Sequence, residues 1–260
     1  MALAVYALTW VTFIQFRLVY DENLLYFVFF ATITGYNFVK YFGVAKFHHR
    51  NLAGWLKAIQ LFSLFAFIAM CYSALQFSIS TLLILSVFGL ITFLYAIPLL
   101  PMKFFRDSQK NLRQISGLKI YVIAIVWTFT TVFLPLLNND INMNTDVIIT
   151  SIQRFLFVIV LMLPFEIRDL NYDSLKLATI PQKIGIKNTK IIGVSLLVVF
   201  FVLEYFKDEL ICNSMLTSLF IMIVTLLGVV YSHKSQSKYY SAFWVESLPI
   251  VWLIVLLMLG

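Results

Sequence analysis

In this chain of 260 residues, 62% of the side chains are hydrophobic and only 12% are charged, with a mean hydropathy of +0.93. A soluble domain has about 25% charged and about 45–50% apolar residues, so this chain lacks the polar surface to meet water over most of its area. The net charge of +7 is scattered among apolar runs with no aromatic-interleaved basic stretch, and Gly and Pro are scarce. Together these features exclude a nucleic-acid-binding module, a Gly-rich nucleotide-binding domain, a collagen-like repeat and a disordered chain.

Apolar runs of about 20 residues, broken by charge, Asn, Gly or Pro, predict helices that cross a bilayer. In chain order they fall at 2–20, 24–46, 53–72, 77–97, 119–138, 147–167, 190–206, 213–232 and 243–259. The first, Met1–Phe16, has no basic n-region and no small-residue cleavage site, so it reads as a retained span. Runs such as 82–94 show no alternation of period two, and backbone groups in lipid must pair within their own segment. The expected fold is therefore all-α, a single domain over 1–260 with nine transmembrane helices. Cys71 and Cys212 sit in apolar context without a CxxC or a Cys/His cluster. They predict buried thiols and no zinc or iron–sulfur site.

The basic residues alternate with the spans. Lys40, Lys46, Arg50 and Lys57 gather around the second break, and Lys103, Arg106, Lys110, Arg113 and Lys119 follow span 4. Arg168, Lys176, Lys183, Lys187 and Lys190 follow span 6, and Lys234 and Lys238 follow span 8. The odd-numbered side has only Arg17, Arg154 and Lys207, with Asp21, Glu22, Asp140, Asp146, Asp208 and Glu209. Positive charge marks the cytoplasmic side, so an inside N-terminus, an outside C-terminus and a bacterial inner membrane are expected.

The most informative stretch closes span 6. Glu166, Asp169 and Asp173 are spaced i, i+3, i+7, which on a helix places them within an arc of roughly 60°. Such hard oxygen ligands suit Mg²⁺ shared with substrate phosphate oxygens. The alternative is a set of acids that reach interfacial water, paired with Arg168. The run from Glu166 to Gly185, with Thr179 and Pro181 inside it, resembles the second aspartate motif of the UbiA-type intramembrane prenyltransferase superfamily. Tyr95, Pro98 and Lys103 resemble that family's segment leaving span 4, and Leu118–Lys119 with Trp127 its fifth span. The resemblance covers essentially the whole chain. It implies a prenyl diphosphate donor held with Mg²⁺ by Glu166, Asp169 and Asp173, and basic side chains that share the charge. It also implies a hydrophobic acceptor that traps the allylic cation inside the bundle.

The family's first aspartate motif falls on Asn37, with Phe38, Tyr41 and Ala45 at its three acidic positions. Lys40, one turn from Asn37, is expected either to replace a metal ion as countercharge or to pair with Asp169 or Asp173. The expected catalytic set is Asp169, Asp173, Lys103 and Lys40. Asn37, Tyr95, Arg168, Lys183 and Glu246 are expected to bind substrate. Glu246, at the inner start of span 9, reads equally as a helix-start carboxylate favoured by the dipole. His48, His49 and Arg50 add donors at the same mouth, and Trp127, Phe129, Phe155 and Phe157 could line an isoprenoid tunnel. A non-catalytic isoprenoid-binding protein is the alternative, followed by a transporter, for which no inverted repeat is visible.

Overall fold

A computed structural model describes residues 1–45, 54–96, 117–170, 179–208 and 212–259. Over 40–45, 54–56, 93–96 and at 212 it describes the backbone alone. Every regular element among these residues is helical. The first four helices are α1 (Ala2–Gln15), α2 (Glu22–Ala45), α3 (Gly54–Ala74) and α4 (Ile79–Ala96). They are followed by α5 (Leu118–Asn138), α6 (Thr145–Asp169), α7 (Ile180–Phe206), α8 (Cys212–Val230) and α9 (Tyr240–Leu259). Six segments, in α3 and in α5 to α9, are long and apolar enough to cross a membrane, while α1 is a shorter apolar helix.

Helix α6 is the hub. In it 78% of the apolar window is buried, against 11% in α3, and it packs on α5, α7, α8 and the first turn of α9. Helix α1 lies against α2, α9 and the middle of α5, and α3 flanks α2 from outside. The core joins Leu8 and Val11 of α1, Phe157 and Leu161 of α6, Phe200 of α7 and Trp252 of α9. Gly193 is required at the α6–α7–α8 crossing, because a Cβ there would lie 2.9 Å from Leu163 Cδ1 and 3.1 Å from Val229 Cγ1. On the outside, Leu61, Phe65 and Ile68 of α3, with Ile191 and Val198 of α7, are more than half exposed or at half. Apolar side chains this abundant on the periphery suit a lipid solvent, where no hydrophobic driving force pulls them inward.

Two helices depart from α geometry where proline follows. Helix α5 passes through a π-turn at Phe129–Phe133 just before Pro135, and α9 begins with a π-turn at Tyr240–Val245 ahead of Pro249. Proline cannot donate to the ladder, and the wider turn leaves carbonyls for other donors. Thr131 O accepts from Thr12 Oγ1 at 2.6 Å, which ties α5 to α1.

The cross-helix contacts sort into two ends. At one end Arg168 meets Ser241, Gln236 meets the Pro164 carbonyl, the Met1 amino group meets Glu246, and Lys190 meets the Val230 carbonyl. At the other, Asp21 meets Asn138, Asn23 meets the Ser73 carbonyl, and Asp146 receives the Asp208 N–H. Chain ends and connections thus alternate as the expected up-and-down order requires. Two details differ from expectation. Helix α7 begins at Ile180, ten residues before the predicted 190, since Pro181 starts a helical turn ahead of the apolar run. Cys71 is exposed on α3 rather than buried, because α3 turns most of its circumference outward.

Candidate functional site

The end of the bundle that holds Arg168 carries most of the predicted site. Helix α6 stays helical to Asp169 and ends at Leu170, so its carboxylates Glu166 and Asp169 sit in the last turn. Glu166 is 3% exposed, and its Oε2 accepts the Ile180 N–H at 3.3 Å. A carboxylate there is favoured doubly, by an otherwise unpaired first-turn N–H and by the positive end of the α7 dipole. Because of this contact the acid run and the Thr179–Pro181–Gly185 element, separated in sequence, meet in space. The Thr179 N–H donates to Gln182 Oε1 at 3.0 Å, and the Thr179 side chain faces the Gln182 N–H in return, a capping box that starts α7.

Arg168 bridges the site. Its Nε donates to Asp169 Oδ1 at 2.7 Å, one terminal nitrogen donates to Ser241 Oγ at 2.7 Å, and the guanidinium stands 5.4 Å from the Phe165 ring centre. Both partners of the pair are about one fifth to one quarter exposed, at 20% and 24%. Such a pair contributes only about 0–1 kcal/mol to stability. Among the described residues only Oδ1 of Asp169 is engaged, and Oδ2 has no such partner.

Gly185 gives this end its shape. It has φ +79° and ψ 163°, a conformation essentially confined to glycine, inside α7. The first turn, Ile180 to Ile184, is thereby set off from the long rod, and the Gly185 carbonyl still accepts from Thr189 Oγ1 at 2.8 Å. We predict that Gly185→Ala destabilises the protein by about 1–3 kcal/mol, although open space surrounds the added methyl. An unchanged unfolding midpoint in detergent would show that the backbone relaxes at this position.

Of the other predicted residues, Asn37 donates from Nδ2 to Ser63 Oγ at 2.8 Å and so links α2 to α3. Lys183 is exposed on the first turn of α7. Glu246 accepts from the Met1 amino group. Trp127, Phe129 and Phe157 are buried core side chains, and Phe155 is partly buried against the same core. Asp173, Lys103, Pro98, His48, His49 and Arg50 lie outside the described residues, and the side chains of Lys40, Tyr41, Ala45 and Tyr95 are likewise outside them. The described residues bring together Glu166, Arg168 and Asp169; they hold no cluster of three or more His, Cys, Asp or Glu able to grip a metal.

A second polar cluster lies near the opposite end; in the sequence Arg154 and Lys207 read only as topology signals, and Glu204 gives no signal of its own. Arg154 is 1% exposed. It donates to the Leu8 carbonyl at 2.8 Å and to Thr12 Oγ1 at 3.2 Å, and lies 5.2 Å from the Trp252 ring centre. Beside it Glu204 accepts from Gln153 Nε2 and Ser214 Oγ, each at 2.8 Å, and from Lys207 Nζ at 2.9 Å. The available signal was an arginine nine residues into an otherwise apolar run. Charges at such depth are costly and need partners.

Comparison of the chain with models of known protein families, with curated proteins and with solved structures finds no match.

Proposed function

We propose that the chain is an integral membrane prenyltransferase of UbiA type, embedded in a bacterial inner membrane with the Arg168 end toward the cytoplasm. The observation that carries this reading is the 3.3 Å contact of Glu166 with the Ile180 N–H, which unites both parts of the motif around Arg168. The orientation rests on the sequence, in which 16 of the 19 Lys and Arg gather around the breaks that follow the even-numbered spans. A cysteine placed at Lys234 should be labelled only from the cytoplasmic side, and labelling from outside would reverse the topology.

In the proposed reaction the C1–O bond of an allylic prenyl diphosphate breaks heterolytically. Its electron pair leaves on the diphosphate, and the hydrophobic acceptor donates a pair to C1 and releases a proton. The leaving group gathers negative charge, so preorganised cations and N–H donors at that point lower the barrier. Arg168, held against Phe165 and Ser241, is one such donor. Lys103 is assigned the same duty by the resemblance and Lys40 by its place one turn from Asn37, where it would replace a metal ion as countercharge. Asn37, Tyr95 and Lys183 would border the donor, with Glu246 on the acceptor side.

The donor set suits Mg²⁺ in kind, since Asp169 keeps Oδ2 free of partners among the described residues. Asp169 and Asp173, with Glu166 behind them, would hold the ion, which would supply countercharge to the diphosphate.

The ion pair of Arg168 with Asp169 favours a second reading, in which the chain binds an isoprenoid without turning it over. The Arg168→Gln variant separates the two. If Arg168 serves the diphosphate, donor affinity and turnover fall together by about tenfold or more, as expected for a lost charge-assisted bond. If Arg168 merely neutralises Asp169, its removal frees the carboxylate, and Mg²⁺ affinity rises while turnover stays absent.

A further inference from the structure

We infer that the groove between α7 and α8, at the end that holds Lys190, is a binding site for an anionic phospholipid. Lys187 and Lys190 lie one turn apart on α7, and Lys234 and Lys238 stand in the connection that follows α8. Lys190 joins the two elements, because its Nζ donates to the Val230 carbonyl at 2.7 Å. The bond satisfies a terminal carbonyl of α8 and fixes the side chain, yet an ammonium has two further N–H groups to offer. Among the described residues none of these four lysines is paired with a carboxylate. Among the described residues the patch therefore has no neutralising carboxylate, and it does not share a residue with the proposed diphosphate site.

What lies around the lysines selects a lipid. Tyr231 and Tyr239 are 68% and 77% exposed on either side of Lys234 and Lys238, as amphipathic rings are at a membrane–water interface. Deeper along the same two helices Ile191, Leu227 and Val230 are exposed apolar side chains. At Gly193 the helices approach closely, with Val229 Cγ1 within 3.1 Å of a Cβ position. A ligand that fits has a phosphate at the lysines, a glycerol region at the tyrosines and acyl chains along Ile191 and Leu227. Charge complementarity favours an anionic headgroup over a zwitterionic one, because each basic side chain near the surface attracts the negative phosphate.

The test is native mass spectrometry of the full chain released from detergent with phosphatidylglycerol or phosphatidylcholine. We expect a retained phosphatidylglycerol adduct that falls about tenfold or more in Lys187→Gln/Lys234→Gln, a variant that keeps the Lys190 cap and so keeps the fold. The matched control, Lys57→Gln/Lys119→Gln, removes two basic residues from the same end of other helices and should retain the adduct. Equal loss in the control pair would overturn the site in favour of bulk attraction to the charged face. Equal retention of phosphatidylcholine would overturn the anionic selectivity, and displacement by millimolar glycerol phosphate would overturn the assignment to an intact lipid. None of these outcomes depends on whether the protein transfers a prenyl group.

Discussion

Replacing Arg154 with alanine should be the most destabilising single change in the bundle, with a loss on the order of 3 kcal/mol. Arg154 is 1% exposed and touches two helices besides its own α6. Its guanidinium bonds the Leu8 carbonyl and the Thr12 hydroxyl on α1, and packs over Trp252 on α9. Thr12 in turn reaches the π-turn of α5 through the Thr131 carbonyl. Opposing effects must be weighed. Burying a cation without a carboxylate is costly, and in a soluble protein its removal can stabilise the fold. Within a bilayer, however, an isolated α6 would leave the same cation in lipid, where no partner exists. Packing of α1 and α9 onto α6 relieves that state, so the arginine drives assembly. The alanine also leaves a cavity where four helices meet, which adds to the loss. Arg154→Lys should recover little, since an ammonium cannot serve a carbonyl, a hydroxyl and a ring face from one planar group. Unfolding of the purified protein in detergent measures both variants, and a midpoint for Arg154→Ala equal to wild type would contradict the account.

The second large effect is expected at Asp169, and it falls on binding instead of stability. Asp169→Asn keeps the shape but removes the charge that a hard cation requires. Mg²⁺-dependent affinity for a prenyl diphosphate should drop by about tenfold or more, equivalent to about 1.4 kcal/mol. The fold should barely change, because the pair with Arg168 is 24% exposed on the aspartate side and Arg168 keeps Ser241. Calorimetric titration with donor and Mg²⁺ distinguishes the cases. An Asn variant that binds as tightly as wild type would make Asp169 a structural partner of Arg168 and nothing more.

Much of the architecture was legible from the chain because lipid imposes a simple length rule on apolar runs. The nine expected spans correspond to α1 through α9, and the positions of Asp21 with Asn138 at one end and Arg168 with Ser241 at the other follow the expected alternation. Helix starts set by polar residues were harder. The turn Ile180–Ile184 lies in a stretch with Gln182 and Lys183, where hydropathy is low and only Pro181 and the Thr179–Gln182 capping box mark the helix start. The same limit applies to the carboxylates. Glu166 and Asp169 share the last turn of α6, as their spacing predicts, and Asp173 lies outside the described residues, whereas the contact of Glu166 with the Ile180 N–H joins residues that spacing alone does not bring together. Arg154 was counted as a charge on a membrane face, because a sum over connections ignores depth, and Glu204 entered no such sum. Their partners, a backbone carbonyl of α1 and the side chains of Gln153, Ser214 and Lys207, come from several helices and carry no local pattern.

The central claim is that the Glu166–Arg168–Asp169 end of the bundle holds the diphosphate of an isoprenyl donor. The most direct measurement is equilibrium binding of a radiolabelled prenyl diphosphate to the purified wild-type protein, with and without Mg²⁺. Saturable binding that strengthens with Mg²⁺ and is displaced by inorganic diphosphate is the predicted result. A protein that retains no prenyl diphosphate in either condition would contradict the enzymatic and the non-catalytic readings alike.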